Sequence, residues 1–342
     1  MSEVSSRLAL AKLRAWLSQC LSDDLTELTV RRMTETHGTS NEMYELSNRG
    51  ERWVLRRPPA VGNAPSAHAV LRESRMLGAL EATTVPHPRL IAACDDTSVI
   101  GSPFLVMHWV DGVSLRDRVP DELSDDVARY DLGLALVDGL IELERVDWRA
   151  AGLEGFGHPD GFLERQVPRW LSQLATYRSR DIPGLDKVAA WLESHRPPAT
   201  APAILHGDYG FFNAMFARAL PVQLAAIVDW ESATIGDPLL DLGFLTGAWT
   251  AVGEEPVIPG DITNLPGMAT SGDLATRYAR LTGRSIEHLT YYQTLGLFKL
   301  ACIIEGAYFR YRSGTSDNPL HAEFETVVPA LVRRAASLAG AT

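Results

Sequence analysis

Side chains that could do chemistry are concentrated in one otherwise apolar stretch, residues 204–242, which reads ILHGDYGFFNAMFARALPVQLAAIVDWESATIGDPLLDL. It contains one histidine, four aspartates, one asparagine and one glutamate. Because unpaired carboxylates are costly to bury, acids beside strand-like apolar runs need a partner or a route to solvent. Either the chain turns outward here and the acids cap helices and turns, or they converge on a positive charge.

The first polar group in this stretch has a defined spacing. His206, Asp208 and Asn213 follow the order H-x-D-x-x-x-x-N directly after an apolar run. The catalytic loop of protein kinases has the same spacing, with its aspartate accepting the proton of the substrate hydroxyl and its asparagine holding magnesium. We therefore predict a catalytic base at Asp208 and a metal ligand at Asn213, with His206 a scaffold residue hydrogen-bonded within the loop. The alternative for residues 206–208 alone is a turn with an Asx cap.

The remaining acids of the stretch follow two further patterns. Residues 214–230 predict a hairpin of two apolar strands that delivers Asp229 to the end of the second strand. A carboxylate there is a hard oxygen ligand. Together with Asn213 it could bind the magnesium ion that accompanies the phosphates of ATP. Asp237 and Asp241 stand where a helix should begin, so we predict that they cap the helix and brace the loop.

These residues need elements to position them, and the sequence predicts two lobes. The first third has an N-terminal amphipathic helix, two strands around SNRG, a helix over SAHAVLRESRMLGAL and further strands up to FLVMHWVDG. From Ser114 onward the pattern is that of long helices. We predict an α+β, two-lobed, protein-kinase-like fold with a β-rich N-lobe (1–109) that binds nucleotide and a mostly helical, catalytic and acceptor-binding C-lobe (110–342).

The kinase arrangement requires a cation on the third strand and an acid on the following helix. Between Lys12 and Lys187 the chain contains no lysine, and Arg56 follows the apolar run WVL. Arginine can hold phosphate oxygens as a fork, so we predict that Arg56 binds the phosphates of ATP. Glu73, in LRESRML, is the acid predicted to orient it; the alternative is a solvated carboxylate on a helix.

Two weaker patterns concern the nucleotide. HGTSNEMY precedes the second strand at the place of a phosphate-covering loop, where we predict a role for Ser40. In the interlobe segment FLVMHWVDG, backbone groups of His108 and Val110 would bind an adenine edge and Met107 would pack on its ring. The alternative is an ordinary edge strand. Walker and G-x-G-x-x-G fingerprints are both absent.

Bulk properties exclude several classes of protein. A net charge of -11 without a basic stripe argues against nucleic-acid binding. Three widely separated cysteines follow no metal-ligand spacing and suit a reducing cytosol. The N-terminus does not resemble a signal peptide, and Lys299 and Glu305 interrupt the longest apolar helix, which argues against a membrane span. We expect a soluble, cytoplasmic protein; its oligomeric state is not predicted.

Taken together, HGDYGFFN and IVDWE...GDPLLDL resemble the aminoglycoside phosphotransferase and choline kinase superfamily, which has a protein-kinase-like fold. The resemblance implies that Asp208 is the catalytic base and that Asn213 and Asp229 bind Mg²⁺. A finer likeness, in WVLRRPP, LRESRMLGAL, PFLVMHWVDG and LACIIEGAYFRYRSG, is to the phosphotransferase portion of bifunctional acyl-CoA dehydrogenases. That likeness implies a hydroxyacyl-CoA or a hydroxy acid as acceptor.

Two other functions stay open from sequence. The acceptor could be an aminoglycoside or a macrolide; a polycationic acceptor needs carboxylates, and Glu231 and Glu305 are candidates. Arg310 and Arg312 instead favour an anionic acceptor, unless they only lie on a solvated helix end. The third hypothesis is a nucleotide-binding pseudokinase that acts through partners, which predicts the loss of one of the three catalytic positions. None of the three is lost.

Overall fold

The computed structural model describes residues 10–21, 24–33, 41–58, 64–316 and 318–341. The chain divides into two compact units. The first comprises Met1–Asp111 together with Ala226–Glu231, and the second comprises Gly112–Ala225 and Ser232–Thr342. The sequence analysis assigned Asp229 to the helical C-lobe, whereas the structure places it in the first unit, because the chain returns there after the hairpin.

The first unit is built on a five-stranded antiparallel sheet in the order β1-β2-β3-β5-β4. Its strands are β1 (Thr29–Arg32), β2 (Glu42–Asn48), β3 (Glu51–Arg57), β4 (Leu90–Cys94) and β5 (Phe104–His108). Its described helices are α1 (Leu10–Leu21), α2 (Ala64–Leu80) and the short α3 (Thr97–Ile100).

The hairpin of β2 and β3 sets which side chains of β3 share a face. Its turn is made by Arg49 and Gly50, both at positive φ (49° and 92°), as a tight two-residue hairpin turn requires. Trp53 and Leu55 then lie in one apolar cluster with residues of α1. Because side chains alternate along a strand, Arg56 points to the other face of the sheet, where α2 lies.

The second unit is mostly helical. Its helices are α4 (Asp126–Arg145), α5 (Gln166–Ala175), α6 (Leu185–Ser194), α7 (Leu239–Ala248), α8 (Ser271–Thr282), α9 (Leu289–Arg312) and α10 (Leu320–Ala339). Its strands are β6 (Val113–Ser114), β7 (Ala203–Leu205), β8 (Ala214–Phe216), β9 (Leu224–Ile227), whose last two residues belong to the first unit, and β10 (Thr234–Gly236). They form two small sheets, β10-β7 and β6-β8-β9. The predicted α+β class is confirmed.

Helix α9 packs against α7 and α10 along much of its length. Glycines allow the α7–α9 contact to be unusually close: a Cβ on Gly243 would overlap the backbone of Tyr292, and one on Gly296 would lie 2.7 Å from the Cα of Phe244. Two backbones in such contact hold their helices at one separation, because protein interiors do not deform smoothly. The side chains that α7 and α9 carry are thereby positioned relative to each other.

No helix in the described ranges is both long and apolar enough to cross a membrane.

We expect Gly296→Ala to lower the free energy of unfolding by about 1–3 kcal/mol, because the added methyl group overpacks the α7–α9 contact. Urea denaturation followed by circular dichroism measures the change. Gly272→Ala is the matched control, since its Cβ would meet nothing closer than Thr270 Oγ1 at 3.6 Å. That control should be neutral or stabilising. Equal stability of the Gly296 variant and the wild type would contradict the role of the contact.

Candidate functional site

The loop that carries Asp208 leaves β7 through a backbone conformation that only glycine adopts easily. Gly207 has φ +83°, and a Cβ there would lie 2.6 Å from the carbonyl oxygen of Ser232. Asp208 follows directly and is exposed. The loop therefore turns sharply after the buried strand and presents a carboxylate outward.

The structure brings the two predicted members of this loop together. Asn213 ends a short 3₁₀ turn (Phe211–Asn213), and its Nδ2 donates to Asp208 Oδ2 at 3.0 Å and to the Asp208 carbonyl oxygen at 2.8 Å. The amide nitrogen thus orients the carboxylate, and the amide oxygen is the atom with which Asn213 would bind a cation.

His206 has the structural part that its sequence context predicts. Its side chain is fully buried, and its Nδ1 accepts a hydrogen bond from the backbone N–H of Asp208 at 3.3 Å. The ring closes the loop on itself and is shielded from solvent.

Asp241, in the first turn of α7, holds the backbone of the same loop. Its Oδ2 accepts the backbone N–H of His206 at 2.6 Å, and its Oδ1 accepts that of Gly207 at 3.0 Å. Burial raises the pKa of Asp241, whereas the His206 ring, Lys299 and the two N–H groups oppose that rise. Asp237 lies one residue before the N-cap residue Pro238 and accepts the backbone N–H of Leu239, the first residue of α7, at 3.1 Å. The structure thus contains the predicted bracing by Asp241, whereas Asp237 supports the start of the helix from outside the N-cap position.

Lys299 of α9 completes the support, and sequence reasoning missed it. Its ammonium donates to the carbonyl oxygen of Gly207 and lies 5.7 Å from the Trp170 ring and 6.0 Å from the Phe244 ring. Burial lowers the pKa of Lys299, and attraction to the nearby Asp208 and Asp241 counteracts this. A lysine within the apolar run before Glu305 was the available signal, since such a charge needs buried partners.

In the first unit, Arg56 lies among three carboxylates. Its Nη1 donates to Glu73 Oε1 at 2.9 Å, and its Nη2 donates to Asp229 Oδ1 at 2.5 Å and Glu231 Oε2 at 3.1 Å. The Arg56 and Glu73 side chains are only 5% and 2% exposed. Burial lowers the pKa of Arg56, but its three acidic partners outweigh this and raise it. The predicted Arg56–Glu73 pair is present, and Arg57 points away to the carbonyl oxygen of Ile100.

Asp229 comes two residues after β9 in a left-handed conformation, φ +66°. Aspartate tolerates this region better than most residues do, and such a backbone next to a cluster of charges is a feature of functional sites. Glu231 also accepts a hydrogen bond from Asn41 Nδ2 at 2.8 Å. Sequence analysis missed this contact, which joins the end of the predicted phosphate-covering segment to the Asp229 turn. Ser40 itself lies outside the described residues.

The Arg56 cluster and the Asp208 loop each carry oxygen donors of the kind that magnesium binds. One guanidinium faces three carboxylates, so the Arg56 cluster has an excess of negative charge that a cation would neutralise. Within the described ranges no group of three or more His, Cys, Asp or Glu side chains could hold a metal by itself. Magnesium at nucleotide sites uses one or two carboxylates and completes its shell with phosphates and water. Carboxylate and amide oxygens, the donors of Asp229 and Asn213, are suited to it.

The segment predicted to bind adenine is the end of β5 and the residues after it. Met107 is buried, whereas His108 is exposed. The backbone N–H of His108 donates to the carbonyl oxygen of Arg89 at 2.9 Å. Because this N–H is already hydrogen-bonded, an adenine would contact the carbonyl group of His108 or the backbone of Val110. Next to them the Arg52 guanidinium stacks 3.6 Å above the Trp109 ring.

The charged side chains considered for the acceptor fall into two groups. Glu305 is completely buried and forms a forked ion pair with Arg180, with contacts of 2.7–3.1 Å. Arg310 and Arg312 are exposed in the last turn of α9. Glu305 is therefore a structural partner of Arg180 in this unit.

We expect Asp241→Asn to speed amide hydrogen exchange of residues 204–209 and to cost about 2–4 kcal/mol of stability. One of the two backbone N–H groups would face an NH₂ group, and Lys299 would lose a charged partner. Exchange measured by mass spectrometry, together with urea denaturation, tests this. Asp273→Asn, the same change in the exposed capping box of α8, should cost about 1 kcal/mol and leave exchange of 204–209 unchanged. Unchanged exchange in Asp241→Asn would contradict the bracing role.

Comparison with known proteins identifies the family of this chain. The phosphotransferase enzyme family (APH) matches residues 35–269. Acyl-CoA dehydrogenase family member 11 of Gallus gallus is 32% identical over 337 residues, which cover 95% of this chain and 43% of that protein. The chain spans less than half the length of the curated relatives it matches.

Solved structures share the fold along nearly the whole chain. A proposed aminoglycoside phosphotransferase from Ralstonia eutropha JMP134 has a TM-score of 0.83 at 28% identity, covering 98% of this chain and 99% of that one. The GDP and kanamycin complex of APH(2″)-IIIa has a TM-score of 0.60 at 17% identity, covering 93% and 97%, and so shares the fold alone. The predicted kinase-like fold is confirmed, and the chain belongs to the phosphotransferase enzyme family.

Proposed function

We propose that this protein transfers the γ-phosphoryl group of Mg-ATP to a hydroxyl group of a small molecule. The observation that carries the proposal is the exposed carboxylate of Asp208, oriented by Asn213 in a loop whose backbone is held by Asp241 and Lys299. An exposed base fixed in this way is what a reaction based on positioning requires.

Each residue has one part in the proposed reaction. Asp208 accepts the proton of the acceptor hydroxyl as its oxygen attacks the γ-phosphorus, and the bond to the β-γ bridging oxygen breaks, releasing ADP. Arg56, oriented by Glu73, holds phosphate oxygens of ATP. Asn213 and Asp229 would hold the metal. Magnesium, when bound, neutralises the charge that develops on the phosphates.

For nucleotide binding we propose the residues that were predicted from the sequence. We assign nucleotide binding to the N-terminal lobe (1–109), with Met107, His108 and Val110 at the adenine and Ser40 at the phosphates, and acceptor binding to residues 110–342. The nucleotides named for solved structures of this fold, such as the GDP of the kanamycin complex, support a nucleoside triphosphate as donor.

For the acceptor we propose a hydroxyacyl-CoA or a hydroxy acid, in line with the acyl-CoA dehydrogenase relatives. An aminoglycoside is less well supported by this chain's own charges. Glu305 is buried and paired with Arg180, and Glu231 already accepts hydrogen bonds from Arg56 and Asn41, so the two carboxylates suggested for a polycation are both engaged. A pseudokinase role would leave no need for the Asp208–Asn213 arrangement.

We expect Asp208→Asn to lower kcat about 10²- to 10⁴-fold, because the general base is lost, while ATP still binds. ADP release with Mg-ATP is measured against hydroxyacyl-CoAs, hydroxy acids, aminoglycosides, macrolides and choline. Asp186→Asn, an exposed aspartate in the first turn of α6, is the matched control and should behave as wild type. Near-normal turnover in Asp208→Asn would refute the mechanism, and nucleotide binding without any acceptor-dependent release would favour the pseudokinase.

We expect Arg56→Lys to raise the KM for ATP about tenfold with a smaller change in kcat. The variant keeps the charge but cannot contact Glu73, Asp229 and Glu231 as a fork. Steady-state kinetics at saturating acceptor measure both constants. Arg52→Lys, which keeps the charge over Trp109, should leave the KM within about twofold. An unchanged KM in Arg56→Lys would remove Arg56 from the phosphate site.

A further inference from the structure

Arg116 reaches the catalytic loop from a distant part of the second unit. Its guanidinium carbon lies 4.8 Å from the centroid of the Phe212 ring, and Phe212 directly precedes Asn213. A guanidinium over an aromatic face is attracted to the ring and still has N–H groups that can bind a further partner. The contact with Phe212 places these donors beside the loop of Asp208 and Asn213.

The backbone around Arg116 holds its side chain in place. The N–H of Arg118 donates to the Arg116 carbonyl oxygen at 2.7 Å, closing a three-residue turn with Asp117 at φ +62° in its centre. Such a turn is strained for a residue with a side chain, and strain of this kind persists only where surroundings enforce it. The enforcing contact is a hydrogen bond from Asp117 N to the carbonyl oxygen of Gly260 at 3.0 Å.

Gly260 also covers the Arg116 side chain directly. A Cβ at position 260 would lie 2.8 Å from Arg116 Cγ and 2.9 Å from its Nε. The side chain is therefore held between the backbone of Gly260 and the ring of Phe212, and much of its rotamer entropy is already lost before any ligand binds.

Arg116 is half-buried and lacks an ionic partner: across the described residues no carboxylate pairs with it. Three other arginines of the second unit that are at least partly buried, Arg180, Arg277 and Arg284, pair with acids. In a chain with 43 acidic and 32 basic residues, a fixed arginine without an acid partner indicates a ligand that supplies the negative charge.

We propose that Arg116 anchors an anionic group of the acceptor, a carboxylate or a phosphate, and so determines the charge class of acceptor that the protein accepts. This inference rests on the proposed phosphotransferase function. An anion held beside Phe212 would orient the rest of the acceptor toward the loop that carries Asp208. A forked guanidinium binds both anions with charge-assisted hydrogen bonds.

The test compares two pairs of acceptors that differ in charge: 3-hydroxybutyrate with 3-hydroxybutanamide, and glycerol 3-phosphate with glycerol. For the wild type we expect the anionic member of at least one pair to have the lower KM. Arg116→Gln should raise that KM about 10- to 100-fold, leave the KM of the neutral member and of ATP unchanged, and Arg116→Lys should recover part of the loss. Which pair responds distinguishes a carboxylate from a phosphate.

Arg118→Gln is the matched control, because it removes the same charge from an exposed side chain two residues away. It should leave all four KM values within about twofold of wild type, which excludes a general effect of net charge. The proposal is overturned if Arg116→Gln preserves the ratio of anionic to neutral KM, or if the wild type prefers the neutral members.

A second measurement separates this proposal from the phosphotransferase function. Inorganic phosphate and 3-hydroxybutyrate are each titrated by calorimetry into the protein saturated with AMP-PNP and Mg²⁺. Binding of either anion that is present in wild type and Arg118→Gln but lost in Arg116→Gln supports the anchor even if no acceptor is turned over, in which case only the proposed function fails. The anchor is overturned if the wild type binds neither anion, or if the binding that it shows is unaffected by Arg116→Gln.

Discussion

The carboxylate of Asp241 lies buried beneath the loop that carries Asp208, and each of its oxygens accepts one backbone N–H from that loop. A buried carboxylate has lost its hydration, so these two donors and the ammonium of Lys299 must compensate for it. Lys299 in turn donates to the carbonyl oxygen of Gly207, which follows these two N–H groups along the chain. The backbone N–H groups of His206 and Gly207 and the carbonyl group of Gly207 are thus all hydrogen-bonded, while the Asp208 side chain stays exposed.

This arrangement depends on the packing of two helices. Asp241 belongs to α7 and Lys299 to α9, and Gly243 and Gly296 allow these helices to approach until their backbones touch. A change in helix separation would move an acid and a base relative to the loop that both of them hold. The glycines therefore influence the position of the Asp208 side chain, which lies outside the helices that they bring together.

In the first unit, one cation is shared among several acids. One guanidinium, that of Arg56, is shared among Glu73, Asp229 and Glu231, which leaves an excess of negative charge in a mostly buried place. Arginine suits this position because its fork donates to several acids at once, which a lysine ammonium does with less directional control. Under the proposed function, a divalent cation would neutralise this excess of negative charge.

Family membership does not decide the acceptor, because this fold supports phosphotransfer to chemically different molecules. The charges of this chain are more informative. The buried Glu305 is paired with Arg180, whereas Arg116 lies between Gly260 and Phe212 and pairs with no acid among the described residues. Under the proposed function, both features favour an acceptor that carries negative rather than positive charge.

What could be predicted from sequence was set by short-range spacing. The order H-x-D-x-x-x-x-N acts within one loop, so the Asp208–Asn213 pair could be expected before any fold was known, as could the hairpin that leads to Asp229. Arg56 and Glu73 also follow from spacing, because a strand followed by one helix brings only a few side chains face to face. Asp241 was recognisable as a brace from its place at a helix start.

Only the tertiary structure decided the contacts between distant segments. Lys299 lies 92 residues from the carbonyl group it holds, Asn41 meets Glu231 across 190 residues, and Arg116 meets Phe212 and Gly260 from separate parts of the chain. The assignment of Ala226–Glu231 to the first unit is of the same kind. Such contacts have no local sequence pattern, because they depend on how helices and sheets pack. The sequence by itself therefore determined the chemistry of the loop, whereas the tertiary structure decided which side chains hold and surround that loop.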